Sequence, residues 1–336
     1  MLQSLFTMKY SAKRKFNSES DLITYISALL PKNPKQVITG IGDDAAVIEP
    51  SVKQIVVTTD TLVEGSHFLS SWLNPFVLGR RAAVSNLSDI SAMGGLPLYA
   101  LVSLILPAEF WGKSFIKELY QGLTNEFSVS QTKIVGGNIA KGKELSVTLT
   151  LIGSIVGKPL TRNGAKMGDL VCCTGFLGSA ASELYLLLNK NQKYMQYVSQ
   201  QRVVFAKHLV SERLATAGID ISDGLALDLH RLCTASNTGA LIFEKELPVT
   251  ADVCKLAKQY NQRLDGWLLY GGEDYELLFT VKKENLKSLQ DLARSQKTLV
   301  SVIGEITSRK KGVKIKNRES RVEDLLPRGW DHLKTR

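Results

Sequence analysis

Apolar runs of strand length in this chain end repeatedly in carboxylates set beside glycine. VIT leads into GIGDDAAV (37–47), QIVVTT into Asp60, GIDI into SDG (218–224) and GWLLY into GGEDYELLF (266–279). A fold that accepts this pattern must give those acids water, hydrogen-bond donors or a cation, because an unpaired buried carboxylate is strongly disfavoured. The first turn also fits a nucleotide-binding fingerprint. Gly40, Gly42 and Ala45 match G-x-G-x-x-[GA], and Asp60 follows about twenty residues on. In that fingerprint backbone N–H groups pack against a pyrophosphate, whereas Asp43 and Asp44 would aim two negative charges at the same anion. Either the match is accidental or a cation stands between.

The chain has 336 residues, 44% of them hydrophobic and 22% charged, enough for two globular domains with cores of their own. No apolar run reaches the roughly 20 residues that span a bilayer, and the basic start MLQSLFTMKYSAKRKF has no apolar stretch of the kind a secretory signal needs. Cys172, Cys173, Cys233 and Cys254 form no C-x-x-C pair, which suits a reducing cytoplasm. The net charge of +10 is spread over KYSAKRK, KKENLK and RKKGVKIKNR, the last expected as a hairpin around Gly312. Without aromatic residues interleaved among these bases, the pattern describes a solvated basic surface rather than a nucleic-acid partner.

Strands and helices alternate along the chain. QIVVTTD (54–60) and PLYALVSLILP (97–107) read as strands covered on both faces. Between them a helix is predicted from Asn74-Pro75 to Gly94-Gly95, and Trp111, Phe115, Leu119 and Leu123 mark another over 109–128. In 144–156, Leu145, Val147, Leu149 and Leu151 alternate with Ser146, Thr148 and Thr150, as one strand with two unlike faces. GKPLTRNGAKMGD (157–169) reads as a linker, followed by a second α/β series. The expected organisation is a basic tail over 1–16, an N-terminal domain over 17–157 and a C-terminal domain over 158–336.

Taken singly, each acidic turn has a plainer reading. Asp-Asp after Gly is a common turn, and Ser222 or Asp223 can cap the helix that follows. Taken together they need charge compensation. In open α/β sheets the carboxyl ends of strands meet at the ligand crevice, and Asn86 and Asp89 of NLSD share a helix face. Oxygen ligands without His or Cys select a hard ion, Mg²⁺ or Mn²⁺, which commonly brings a phosphorylated substrate. No G-x-x-x-x-G-K-[ST], H-R-D or D-F-G motif is present, so this is neither a P-loop enzyme nor protein-kinase-like.

In order along residues 17–332, GIGDDAAV, TTDTLVEGSHF, NLSDISAMGG, VGGN, TRNGAKMGD, IDISDG, GGEDYELLF and PRGWDHL resemble thiamine-monophosphate kinases. The wider superfamily holds aminoimidazole ribonucleotide synthetase, selenophosphate synthetase and a hydrogenase-maturation protein. The resemblance implies an α/β fold of α+β type in two domains. The N-terminal one binds ATP and pairs in a homodimer, and the C-terminal one completes the site. It implies a Mg²⁺ shell of more than one ion at Asp44, Thr58, Thr59, Asp60, Asp89, Asn138, Asp220 and Asp223. ATP contacts fall at Gly137, Asn138, Arg162 and Ser222, and contacts to thiamine monophosphate at His67, Glu273 and Trp330. Many members read GGD where this chain reads GGN, so Asn138 keeps an oxygen ligand and loses a charge.

The implied reaction moves the γ-phosphoryl group of ATP onto the phosphate of thiamine monophosphate, giving thiamine diphosphate and ADP, the last step of thiamine diphosphate synthesis. A phosphate oxygen is already ionised near neutral pH and needs no general base, so positioning and charge neutralisation carry the chemistry. Within the superfamily, a selenophosphate synthetase would need a reactive residue in an N-terminal glycine-rich segment, and no cysteine precedes Cys172. The hydrogenase-maturation relative ends in a functional cysteine; this chain ends HLKTR. Aminoimidazole ribonucleotide synthetase is the remaining enzymatic alternative, and TTDTLVEGSHF with GGEDYELLF favours the kinase.

Overall fold

The computed structural model describes residues 19–41, 46–49 and 53–330. Asp43 and Asp44 of the first acidic turn, the basic tail over 1–16 and the end of PRGWDHL lie outside them. The chain forms two compact units: residues 1–87, 97–154 and 189–198, and residues 88–96, 155–188 and 199–336.

The first unit begins with α1 (Glu19–Leu29) and a two-stranded antiparallel pair, β1 (Val37–Thr39) and β2 (Val47–Ile48). Then follow β3 (Ile55–Val63), α2 (Pro75–Ala92), β4 (Leu96–Leu106), α3 (Lys113–Ser130), β5 (Lys133–Lys141) and β6 (Ser146–Ser154). Asn74 Oδ1 accepts the Val77 N–H at the start of α2, as its Asn-Pro entry predicts. In α3, Phe115, Leu119 and Leu123 are fully enclosed, while Trp111 precedes the helix and donates its Nε1–H to the Leu106 carbonyl. The two helices cross closely at Gly122, where a Cβ would stand 2.1 Å from the Phe76 carbonyl oxygen.

The four strands run in the order β3-β6-β4-β5, with β3/β6 antiparallel and β4/β5 parallel. The alternation predicted for β6 holds on its apolar side, where Leu145, Val147, Leu149 and Leu151 are fully buried. β3 departs from expectation twice. It continues to Val63, so Asp60 sits within the strand, opposite Leu149, rather than at its end. It is also open on one face: Ile55 and Val57 are 57% and 60% exposed, and Thr59 and Thr61 continue the same side. The run read as apolar throughout is therefore covered on one side within this chain.

The second unit holds β7 (Leu170–Thr174), α4 (Ser179–Leu188), α5 (Val203–Ser211), β8 (Ala215–Ile221), α6 (Leu225–Ser236), β9 (Thr238–Phe243), α7 (Ala251–Gln259), α8 (Leu264–Tyr270), β10 (Glu276–Val281), α9 (Leu286–Ser295), β11 (Val300–Ser308), β12 (Val313–Lys316) and β13 (Val322–Asp324). Its seven strands run β13-β12-β9-β11-β7-β10-β8. Both faces are covered. Val171, Cys173, Ile219, Ile221 and Leu278 pack with α6 through Leu225, Leu229 and Leu232. Cys172, Leu277, Phe279 and Val281 pack with Phe205 and Leu209 of α5 and Leu289 and Leu292 of α9. Burial pushes the Cys172 thiol up to about 12 and that of Cys173 well above its ordinary value, so both are inert core residues.

Two expectations differ here. The 157–169 stretch is packed within this unit: Leu160, Ala165 and Asp169 are buried, and the Thr161 carbonyl accepts the Gly218 N–H. Gly312 does not turn a hairpin, because β9 lies between β11 and β12; the hairpin is β12/β13. The basic residues there are partly matched by acids, as in Lys314–Asp324 (2.7 Å) and Arg318–Glu244 (3.1 Å).

Candidate functional site

β10 is antiparallel to both β8 and β7, so the end of β8, the start of β10 and the end of β7 share one sheet edge. Antiparallel pairing, which sets a strand end beside a strand start, gathers the acids of IDISDG and GGEDYE. Asp220 pairs with Leu277 and Ile221 with Glu276.

Asp220 is the most constrained of them. It is buried, and its Oδ2 accepts the Ser88 hydroxyl at 2.9 Å. Burial, together with the negative charges of Asp89 and Asp228, pushes its carboxyl from 3.8 up to about 7. A carboxylate lifted this far by burial and like charge is a group that a cation would return to its ionised form.

After Asp220 the chain turns into α6 through Ser222, Asp223 and Gly224, and hydrogen bonds from several directions hold this turn. Asp228, fully enclosed one turn into α6, accepts the Ser222 and Asp223 N–H groups on Oδ2 at 3.1 and 3.0 Å. Its Oδ1 accepts Arg231 Nη1 at 2.7 Å, and the same Nη1 reaches Asp223 Oδ2 at 2.5 Å. Burial raises the Asp228 carboxyl to about 6, with Arg231 opposing the rise. The Ser222 carbonyl accepts the Glu273 N–H (2.8 Å), the Ile221 carbonyl the Tyr275 N–H (2.8 Å) and the Asp223 carbonyl the Trp330 N–H (2.9 Å). Gly329 permits the last approach, since a Cβ there would stand 2.4 Å from the Asp223 oxygen. Ser222, Asp223, Glu273 and Trp330, more than a hundred residues apart at the extremes, are thus joined through one backbone network.

This network fixes the polarity of the turn. The N–H groups of Ser222 and Asp223 are directed at Asp228, so they are not a cradle for phosphate. What the turn presents is a hydroxyl and a carboxylate, oxygen donors suited to a hard cation. Its neighbours carry strain: Glu273 and Tyr275 hold left-handed φ angles of 64° and 49°, which cost non-glycine residues about 1–3 kcal/mol each. Between them Asp274 is fully buried and accepts the Gly178 N–H on both oxygens at 3.1 Å, at the entry to α4. Burial lifts its carboxyl well above the ordinary range. Of the Glu273-Asp274 pair, Asp274 is therefore committed to structure. Glu276 likewise takes Arg202 bidentately at 2.6 and 2.7 Å and the Thr174 hydroxyl at 2.5 Å.

Arg162 stands apart from this turn. Its carbonyl accepts the Ser236 hydroxyl at 2.7 Å, at the far end of α6, a helix of 12 residues and so about 18 Å long.

In the first unit, strand alternation places Thr58 and Asp60 on the partly covered face of β3 and Thr59 on the open one. The Thr59 hydroxyl is engaged by the Leu149 carbonyl (2.9 Å) and Thr150 Oγ1 (3.1 Å). Asn86 Oδ1 accepts the Asp60 N–H at 3.1 Å and so anchors that stretch of strand to α2. His67 Nδ1 accepts the Val63 N–H at 3.1 Å, which leaves Nε2 as the protonated nitrogen of the neutral ring, a donor. Gly137 and Asn138 lie on β5, both exposed, opposite Val102 and Ser103. A Cβ at Gly137 would stand 1.9 Å from the Val102 oxygen, so strand packing alone already requires glycine there.

Among the described residues no three His, Cys, Asp or Glu side chains form a ready metal cluster. The donor chemistry of Asp89, Asp220, Ser222 and Asp223 nonetheless fits a hard divalent cation: it is all oxygen, and negative charge is in excess around Asp220. Sequence reasoning overlooked Asp228 and Arg231, although their spacing in SDGLALDLHR, five and eight residues after Asp223 on one helix face, was a usable signal.

Comparisons with known proteins bear on the family and the fold. The family model "AIR synthase related protein, N-terminal domain" matches residues 42–156, and its C-terminal counterpart matches residues 170–316. Thiamine-monophosphate kinase from Buchnera aphidicola subsp. Schizaphis graminum is 35% identical over 322 residues, covering 91% of this chain and 96% of that protein. The Escherichia coli (strain K12) enzyme of the same name is 35% identical over 308 residues, 88% of this chain and 92% of that one. A solved structure, AaThiL complexed with AMPPCP and TMP, superposes with a TM-score of 0.74 at 31% identity, covering 96% of this chain and 100% of that one.

The raised carboxyl of Asp220 has a consequence for stability. Between about pH 4 and 7 the folded chain holds a proton at Asp220 that the unfolded chain has released. Its contribution is therefore greatest below pH 4 and is lost as the pH rises to 7. Thermal melts of the cation-free protein should show that Asp220→Asn is stabilising at pH 8 relative to its effect at pH 4. A pH-independent effect would contradict the assignment.

Proposed function

This chain belongs to the AIR synthase related family, and within it to the thiamine-monophosphate kinases, and on that premise we propose that its acidic turns hold the Mg²⁺ ions that serve ATP-dependent phosphorylation of thiamine monophosphate. The γ-phosphoryl group leaves ADP and bonds to a phosphate oxygen of thiamine monophosphate, giving thiamine diphosphate. The observation that carries the cation reading is Asp220, buried, held by the Ser88 hydroxyl and with Asp89 and Asp228 as neighbouring negative charges.

In the second unit, Asp89, Asp220 and Asp223 are assigned to cations, Ser222 and Arg162 to ATP, and Glu273 and Trp330 to thiamine monophosphate. In the first unit, Asp44, Thr58, Thr59, Asp60 and Asn138 are assigned to cations, Gly137 and Asn138 to ATP, and His67 to the substrate. Bound Mg²⁺ would supply charge neutralisation for two anions that must meet.

The residues of the chain itself do the positioning. His67, whose Nδ1 takes the Val63 N–H, is read as a donor to an anionic oxygen of the substrate. The Trp330 ring and the Glu273 carboxylate suit the thiazolium cation, one by its π-face and the other by its charge. No proton has to be removed from the attacking phosphate, so no residue is assigned as general base.

Two further features belong to the reading. The open face of β3, with Ile55 and Val57 exposed beside a Thr59–Thr150 and Thr61–Thr148 ladder, is suited to a second copy of the chain, giving a homodimer. The four cysteines are free, and no helix among the described residues is long and apolar enough to cross a membrane, which supports a cytoplasmic enzyme.

The purified protein with MgATP and thiamine monophosphate is expected to form thiamine diphosphate, read as thiochrome fluorescence after oxidation. Asp60→Asn and Asp223→Asn are each expected to lower kcat by about 10²-fold or more with unchanged circular dichroism. Full activity in both would remove them from the site. For the dimer, sedimentation of the parent protein should give twice the chain mass, and Val57→Lys should give the monomer. A monomeric parent protein would refute the interface.

A further inference from the structure

Asp228 has a place in this chain that the roles assigned above leave unused. It is fully enclosed, yet both of its oxygens are spent on the Ser222–Asp223 turn. Oδ2 takes the two N–H groups that precede and open that turn, at 3.1 and 3.0 Å. Oδ1 takes Arg231 Nη1 at 2.7 Å, and that same nitrogen is the one on Asp223 Oδ2. Arg231 is therefore shared by two carboxylates rather than paired with one. If Arg231 belonged to Asp223 alone, the guanidinium would neutralise the carboxylate and compete with any cation for it. Divided between the two, it leaves the pair with one net negative charge and leaves Asp223 Oδ1 outside the ion pair.

We propose that Asp228 is a positioning residue for the kinase reaction. Through Oδ2 it sets the backbone that carries Ser222 and Asp223, and through Oδ1 it holds a share of Arg231 that would otherwise fall wholly to Asp223, so that Asp223 remains a ligand for a divalent cation. The inference rests on the reading of Asp223 as a cation ligand. Asp228 itself touches neither cation nor substrate; it acts through the turn and through Arg231. Outer-shell partners of this kind typically govern metal affinity by about 10–100-fold.

The test uses the full chain and two readouts: Mn²⁺ binding, from loss of the free-ion electron paramagnetic resonance signal, and the Mg²⁺ concentration giving half-maximal kinase activity. In Asp228→Asn the side-chain oxygen can still accept the two N–H groups, but an NH₂ now faces Arg231, which swings its charge wholly to Asp223. Mn²⁺ binding should weaken, and the Mg²⁺ requirement rise, by about tenfold, with kcat recovering at saturating Mg²⁺. Adding Arg231→Gln to this variant should restore both values toward the parent, since nothing then competes for Asp223. A merely structural role would instead lower kcat alike at every Mg²⁺ concentration and would not be rescued by a second loss. Unchanged Mn²⁺ affinity in Asp228→Asn, or no rescue in the double variant, overturns the proposal.

Should Asp228→Asn not fold, Arg231→Gln alone decides: Mn²⁺ binding at least as tight as the parent's supports the competition, and binding about tenfold weaker overturns it. Asp223→Asn separates the two levels. If it binds Mn²⁺ as the parent does, the ligand reading of Asp223 fails. If it is weakened while Asp228→Asn is not, only the role of Asp228 fails.

Discussion

The junction of β8 and α6 places Asp220, Asp223 and Asp228 within nine residues, and the second unit is organised around carrying that charge. Each acid is answered differently. Asp228 is buried and satisfied by two N–H groups and a guanidinium. Asp223 shares that guanidinium and keeps part of its surface open. Asp220 has the Ser88 hydroxyl, Asp89 as a neighbouring charge, and a carboxyl lifted to about 7 by burial. Charge compensation is thus complete at one end of the series and incomplete at the other. The incomplete end is where a cation is wanted.

The antiparallel sheet makes this arrangement possible. Because β10 runs against β8, the chain entering β10 passes beside the chain leaving β8, and Glu273 and Tyr275 hydrogen-bond to the Ser222 and Ile221 carbonyls. The strained φ angles at Glu273 and Tyr275 are held by these bonds and by the anchoring of Asp274 on Gly178 between them. Trp330 is tied in through its N–H on the Asp223 carbonyl. Glu273 and Trp330, proposed for the organic substrate, and Asp223, proposed for the cation, are in this way joined by one backbone hydrogen-bond network.

Much of this was legible in the sequence because it is local. The Asn74-Pro75 entry of α2, the Phe115–Leu119–Leu123 stripe of α3 and the alternation of β6 each follow from residue spacing, and each is found. The acidic turns were legible as a set because carboxylates beside glycine at strand ends are unusual in combination. What the sequence did not disclose depends on pairing between distant segments. The β9 strand lies between β11 and β12, so Gly312 turns no hairpin, and no local signal encodes that insertion. Nor does Glu273-Asp274 announce that Asp274 is consumed at the entry to α4. The exposed side of β3 is invisible to a composition argument, because Ile55 and Val57 look like core until the neighbours are known. Asp228 was overlooked because an acid inside a helix is ordinary until its hydrogen bonds to Ser222 and Asp223 are seen.

Asp220 stands amid an excess of negative charge, and we propose that a divalent cation neutralises it. The direct measurement is the carboxyl ¹³C shift of Asp220 across a pH titration of aspartate-labelled protein, assigned with Asp220→Asn, first without divalent cation and then with saturating Mg²⁺ and a non-hydrolysable ATP analogue. A titration near 7 is expected without the cation, displaced to well below the ordinary carboxylate range with it. A carboxyl that titrates in the ordinary range without cation, or one that Mg²⁺ and nucleotide leave unmoved, would contradict the proposal.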